Sequence, residues 1–111
     1  MVKKARPKQG DIFYVDLEPK KGHEQGETRP VIVISNNDYN NRVPLPIVCP
    51  VTTTDNGFPL HLALPSGLKT TGYAMIEHCR TIDYKARGWR YVESAPIPFV
   101  EDVNQLLFSC L

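Results

Sequence analysis

Pro30-Val31-Ile32-Val33-Ile34-Ser35 is an unbroken β-branched run. Branching at Cβ stiffens the side chain and favours extended backbone, where it packs well on a pleated surface. A run with no polar alternate position predicts a strand buried on both faces, at the centre of a sheet. Before it, Asp11-Ile12-Phe13-Tyr14-Val15-Asp16-Leu17 mixes apolar and polar positions at strand spacing. Between the two lies Glu18 to Arg29 (EPKKGHEQGETR), almost wholly polar, with Pro19, Gly22 and Gly26. It reads as a loop, and loops of that length in small domains carry function. After the central run, Asn36 to Arg42 reads as a turn or a single helical turn. Leu45 to Thr54 (LPIVCPVTTT) is β-prone but broken by Pro46 and Pro50. Prolines remove ladder donors, so an edge or bulged strand that bends sharply is expected there. Asp55-Asn56-Gly57 signals a tight turn, and Phe58 to Leu64 leaves it as a strand. Pro65 to Thr71 is a loop, Gly72 to His78 a strand, Arg80 to Asp83 a turn, and Gly88 to Val92 a short final strand.

Only the C-terminus has helical spacing. Val100, Val103, Leu106, Leu107, Cys110 and Leu111 recur on one face, Pro98 suits a first turn, and Glu101 and Asp102 suit the positive end of a helix dipole. Six to seven short strands followed by one helix predict a mainly β fold, a small curled β-barrel closed by a C-terminal α-helix. The 111 residues make a single domain, 1–111, with residues 1–8 (Lys3, Lys4, Arg6, Lys8) expected as a flexible basic start. Thirteen Lys and Arg oppose twelve Asp and Glu, a net charge of +1, which excludes polybasic binding by the whole surface. A nucleic-acid site would have to be local. No apolar run is long enough to span a membrane, and the basic start leads into no apolar signal segment. Three widely spaced cysteines, Cys49, Cys79 and Cys110, fit a reducing cytoplasm.

Several chemistries lack their residues. His23, His61 and His78 do not pair with each other or with cysteine at zinc-ligand spacing, and no glycine-rich phosphate loop precedes a helix. Cys49 reads as a small core residue. No metal or other cofactor is expected. What remains is polar residues gathered at strand ends. Arg29 stands at the mouth of the central strand, where its planar fork can grip a phosphate or pair with Glu24, Glu27 or Asp16. Thr52-Thr53-Thr54 is good strand material and also a row of hydroxyl donors. Tyr73, Glu77 and His78 share one expected strand, in which Glu77 needs a cationic partner. Arg80, Lys85, Arg87 and Arg90 form a basic strip that can track a phosphate backbone or simply be solvated. Phe58 and Trp89 can stack bases or fill the core.

From HEQGETRPVIVIS onward the chain resembles a known family. Gly10-Asp11-Ile12, Gly22-His23-Glu24-Gln25, Arg29-Pro30 through Ser35, Tyr39-Asn40, Pro50-Val51-Thr52-Thr53, Gly57-Phe58, Thr71-Gly72, Arg80 to Asp83 and Lys85 to Gly88 resemble, in order, the MazF/PemK (Kid) toxin ribonucleases. The resemblance implies an SH3-like barrel and a homodimeric, metal-independent endoribonuclease cutting single-stranded RNA, chiefly mRNA, at short motifs. It also implies a MazE/PemI-like antitoxin partner. It places the catalytic arginine at Arg29 and the catalytic threonine at Thr52. His23 matches an acid/base or RNA-orienting histidine, and Glu24 the acid beside it. Thr53, Phe58, Thr71 and Tyr73 match RNA-contacting positions, to which His78, Arg80 and Arg87 are added as candidates. Where the PemK branch has Arg-x-Asp, this chain reads Met75-Ile76-Glu77. Glu77 supplies the carboxylate and is counted with Arg29, Thr52, Glu24 and His23 as a catalytic candidate, but Met75 supplies no guanidinium, which shifts weight to Arg29, Thr52 and Glu24. Two other readings are a CcdB-type gyrase-inhibiting toxin on a related barrel and a non-catalytic SH3-like binding module.

Overall fold

The computed structural model describes residues 6–17 and 28–111. Most of the expected polar loop, with His23 and Glu24, lies outside the described residues. Among the described residues seven strands form one antiparallel sheet: β1 (Asp11–Asp16), β2 (Thr28–Val33), β3 (Ile47–Thr52), β4 (His61–Ala63), β5 (Tyr73–Met75), β6 (Arg80–Thr81) and β7 (Trp89–Ser94). Three helices interrupt or end them: α1 (Asn37–Arg42), α2 (Tyr84–Arg87) and α3 (Ile97–Phe108). The sheet order is β4-β5-β3-β2-β1-β7, with β6 also paired to β3.

β2 is central, as the β-branched run requires, and both of its faces are covered. Ile32 and Ile34 pack with Ile12, Cys49, Ala74, Ile76, Phe99, Val100 and Val103. Val31 and Val33 point the other way, into Phe13, Val15, Val48, Ile82 and Tyr84. Each fully buried aliphatic side chain contributes roughly 1.5–3 kcal/mol, so this two-sided strand anchors the fold. β2 begins two residues earlier than expected, taking Thr28 and Arg29 out of the loop and into the ladder.

β3 is not an edge strand. It pairs with β2 along one side (Val31↔Pro50, Ile32↔Cys49, Val33↔Val48). Along the other it pairs first with β6 (Val48↔Arg80) and then with β5 (Val51↔Ala74, Thr52↔Tyr73). Pro50, which has no N–H, falls where one partner gives way to the next, so a proline is accommodated inside the sheet. The expected strand 58–64 shortens to β4. The expected strand 72–78 ends at Met75, and Ile76–His78 is a single 3-10 turn, so Glu77 and His78 are not on the strand with Tyr73.

The sheet curls without its edge strands forming a ladder. Its two ends are joined by side-chain bonds instead. Glu93, on β7, accepts from the backbone N–H of Lys69 (2.9 Å) and of Thr70 (2.7 Å) and from the Thr70 hydroxyl (2.7 Å), in the loop between β4 and β5. The small curled barrel predicted from the strand count is thus the architecture found, capped by α3, which buries Phe99, Val100 and Val103. Pro98 lies in its first turn as expected, but the helix starts at Ile97, which moves Glu101 and Asp102 into the second turn, away from the dipole's end. α1 is the expected single turn, capped by the Asn36 side chain accepting from the Tyr39 N–H at 2.8 Å. Residues 6–8 are held too: Pro7 is buried, the Arg6 guanidinium donates to the Asn41 carbonyl (3.3 Å) and the Lys8 N–H to Asp11 Oδ2 (2.8 Å).

Candidate active site

The β2–β3 register, carried two positions past its last pair, aligns the two principal candidates. The ladder runs Val33↔Val48, Ile32↔Cys49, Val31↔Pro50. Continued by two positions, it sets Arg29 opposite Thr52. Side chains alternate with a period of two, so both fall on the face that Val31 and Pro50 share. Both are half-buried. Tyr73 is opposite Thr52 on the other side, and Ala63 is opposite Tyr73. Arg29, Thr52 and Tyr73 therefore form a row across three strands.

Backbone constraints hold this row. The Thr52 hydroxyl accepts from the Thr54 N–H at 3.2 Å, which fixes the oxygen and leaves its proton for another acceptor. Gly72 has φ +130°, and a Cβ there would collide with the Thr52 carbonyl oxygen, so only glycine lets β5 start so close to β3. Beyond Thr52, residues 53–58 form an exposed loop shaped by two side-chain turns. Asp55 Oδ1 accepts from the Gly57 N–H (3.2 Å) and Asn56 Oδ1 from the Phe58 N–H (3.1 Å). A hydrogen bond to Asp55, with a smaller desolvation effect, raises the Tyr73 phenol above its ordinary pKa, so Tyr73 stays a neutral donor.

Glu77 has its partner in a residue that sequence reading weighed only as a zinc ligand. His61 Nε2 lies 2.6 Å from Glu77 Oε2, and His78 Nε2 lies 3.7 Å from the same oxygen. Phe58 is exposed and stands edge-on to the His61 ring, with centroids 5.2 Å apart. The signal was present: His61 is the single polar residue in Leu60-His61-Leu62. Its meaning depended on a hairpin register that the chain does not announce.

The remaining candidates divide. Thr53 and Thr71 are exposed and flank the row. Arg87, on α2, donates to the Asp16 carbonyl (3.2 Å) at the end of β1 that pairs with Thr28. Arg80 is not part of the row: it pairs with Val48, at the far end of β3 from Thr52, about 13 Å along the strand. Trp89 is partly buried, packed edge-on against the core residues Phe13 (5.1 Å) and Tyr84 (5.0 Å). Cys49 is buried, and burial, with smaller contributions from Cys79 and Glu77, pushes its thiol up to about 12, so it is no nucleophile. Among the described residues no three His, Cys, Asp or Glu side chains gather as a metal cluster, and no helix is long and apolar enough to cross a membrane.

The sequence and the fold as a whole have counterparts. The chain is 38% identical over 98% of its length to the endoribonuclease PemK of Escherichia coli, covering 85% of that protein. It is 38% identical over 79% of its length to the endoribonuclease toxin MazF of Escherichia coli strain K12, covering 78% of it. It superposes on crystal structures of MazF and of the MazE–MazF complex from Deinococcus radiodurans with TM-scores of 0.83 and 0.85, at 33% identity. The first covers 96% of this chain and 97% of that one, the second 96% of each. Residues 8–111 match the family described as PemK-like, MazF-like toxins of type II toxin–antitoxin systems, and to this family of toxin endoribonucleases the chain belongs.

Proposed function

We propose that this protein cuts single-stranded RNA at short sequence motifs, without a metal ion, using the RNA's own 2′-OH as nucleophile. What supports the reading is the β2–β3 register, which, carried two positions past Val31↔Pro50, aligns half-buried Arg29 and Thr52 on one face. A guanidinium fork and a hydroxyl suit the nonbridging oxygens of a phosphorane-like transition state. The 2′-oxygen is tethered beside the phosphorus, so proximity alone favours its attack. In the step, the 2′-O–P bond forms and the P–O5′ bond breaks. The 2′-OH proton passes to the Glu24 carboxylate, and the leaving 5′-oxygen takes a proton from His23. The products are a 2′,3′-cyclic phosphate and a 5′-OH end. Glu77, Thr53, Phe58, Thr71, Tyr73, His78 and Arg87 contact the RNA on either side, and Arg80 meets it only where the strand runs on past β6.

We further infer a cytoplasmic homodimer neutralised by a MazE/PemI-like antitoxin. The antitoxin is supported by the MazE–MazF complexes of Deinococcus radiodurans that this chain resembles. The dimer is supported by the exposed apolar C-terminal end, with Phe108 76% and Leu111 90% exposed.

End mapping of a long single-stranded RNA tests the reading. The wild type should release cyclic-phosphate ends in the presence of EDTA and leave a 2′-deoxy substrate intact. Arg29→Ala should fold normally and lose on the order of 10²–10³-fold in rate. Undiminished cleavage by that variant, or strict dependence on a divalent ion, overturns the mechanism.

A further inference from the structure

β4 is apolar except at its first residue. His61 lies opposite Met75, two positions beyond the Ala63↔Tyr73 pair, so alternation puts it on the face of Arg29, Thr52 and Tyr73. Its side chain is 9% exposed, and its two nitrogens are treated differently. Nε2 meets Glu77 Oε2 at 2.6 Å, while Nδ1 is buried with no hydrogen-bond partner. An orphaned buried nitrogen carries a desolvation cost that leucine or valine in this strand would not incur. What the imidazole contributes in return is a charge-assisted bond to Glu77. His78 approaches the same carboxylate oxygen at 3.7 Å. His61 thus holds Oε2, with the His78 ring further off, and Oε1, on a side chain 27% exposed, has no hydrogen-bond donor among the described residues.

With strands about 4.8 Å apart and about 3.3 Å of rise per residue, the Met75 and His61 backbones lie about 8 Å and about 12 Å from that of Thr52. Set along the sheet from that row, the pair fits a nucleotide next to the linkage, beside the exposed ring of Phe58, which offers that base a stacking face.

We propose that His61 is a positioning residue that aims Glu77 Oε1 at the pairing edge of a base flanking the cleaved linkage, so that this position rejects uracil. The inference rests on the ribonuclease reading above. Cytosine and adenine present an exocyclic amino group and guanine two adjacent N–H donors, all of which a carboxylate oxygen accepts. Uracil presents one N–H between two carbonyl oxygens, whose lone pairs face the carboxylate.

The test uses short single-stranded RNAs carrying the cleavage motif, with each of the four bases placed in turn at the positions flanking the cut, read as kcat/KM. The wild type should cut the uracil version of one flanking position at least about tenfold more slowly. His61→Leu, with an unchanged melting temperature, should narrow that ratio to within about threefold. His61→Gln, whose amide N–H reaches the place of Nε2–H, should restore it. Glu77→Gln should lose the selectivity, and adding His61→Leu to it should change nothing more. Selectivity retained by His61→Leu overturns the proposal, as does further loss in the double variant. If His61→Leu does not fold, His61→Gln against His61→Asn decides, since the shorter amide cannot reach Glu77; equal selectivity of the two overturns the proposal. Arg29→Ala, run alongside, reports on the ribonuclease reading alone. A wild type that cuts none of these RNAs overturns that reading and this inference with it, whereas a cutting wild type and a selective His61→Leu overturn this inference only.

Discussion

Thr52 shows how much of a site can rest on one hydroxyl. Its oxygen is fixed by the Thr54 N–H, and its proton is the part the proposed chemistry uses. Thr52→Val keeps the shape and removes the donor, so kcat should fall on the order of 10²–10³-fold while the fold survives; Thr52→Ser should stay near wild type, both read from initial rates and a thermal melt. Cys49 gives the opposite lesson. With its thiol at about 12, the thiolate fraction at pH 8 is on the order of 10⁻⁴. Iodoacetamide on the native protein, followed by mass spectrometry, should label exposed Cys110 and spare Cys49 until denaturant is added. Single residues were unequally legible in the sequence. Arg29 and Thr52 stood out because both are polar groups at strand ends. His61 did not, because a lone histidine in an apolar strand has no meaning until its cross-strand neighbour is known.

Among the elements, β5 is the one whose place depends most on a single atom being absent. Gly72 sits at φ +130° against the Thr52 carbonyl. Gly72→Ala combines strain with a collision and should cost on the order of 2–3 kcal/mol in urea denaturation, with activity lost beyond the loss of folded protein because Thr52 moves. Element type was readable where pattern was strong: β2 from its branched run, α3 from its apolar stripe and Pro98. Boundaries failed where tertiary pairing overruled local signal. Pro46 and Pro50 pointed to an edge or to a bulged, bent strand; β3 is no edge, and Pro50 falls where its partner changes from β6 to β5. Glu77 and His78 continued a strand-like pattern, yet the chain turns after Met75, with Ile76 tucked under the helix side of the core.

At the scale of the whole molecule, the Glu93 carboxylate ties the two ends of the curled sheet. Partial burial pushes Glu93 upward, but the Lys69 and Thr70 amides and the Thr70 hydroxyl outweigh it and hold its pKa below the ordinary value. A depressed carboxylate binds fewer protons folded than unfolded. Its contribution is therefore complete above the unfolded value, about 4.5, and is lost as pH falls through the folded one. Melting temperature followed downward from pH 7 should drop in that acid range for the wild type and less for Glu93→Gln, which starts lower. Hydrogen exchange at Lys69 and Thr70 should quicken first. The curl itself was legible in the strand count; its fastening was not, since nothing local links position 93 to position 70. The register of β2 on β3 has a consequence for synthesis. Slipped by a single residue, Arg29 and Thr52 would face opposite sides. While the chain is being made, the face that carries Arg29 and Thr52 exists only after β3 has emerged and paired with β2.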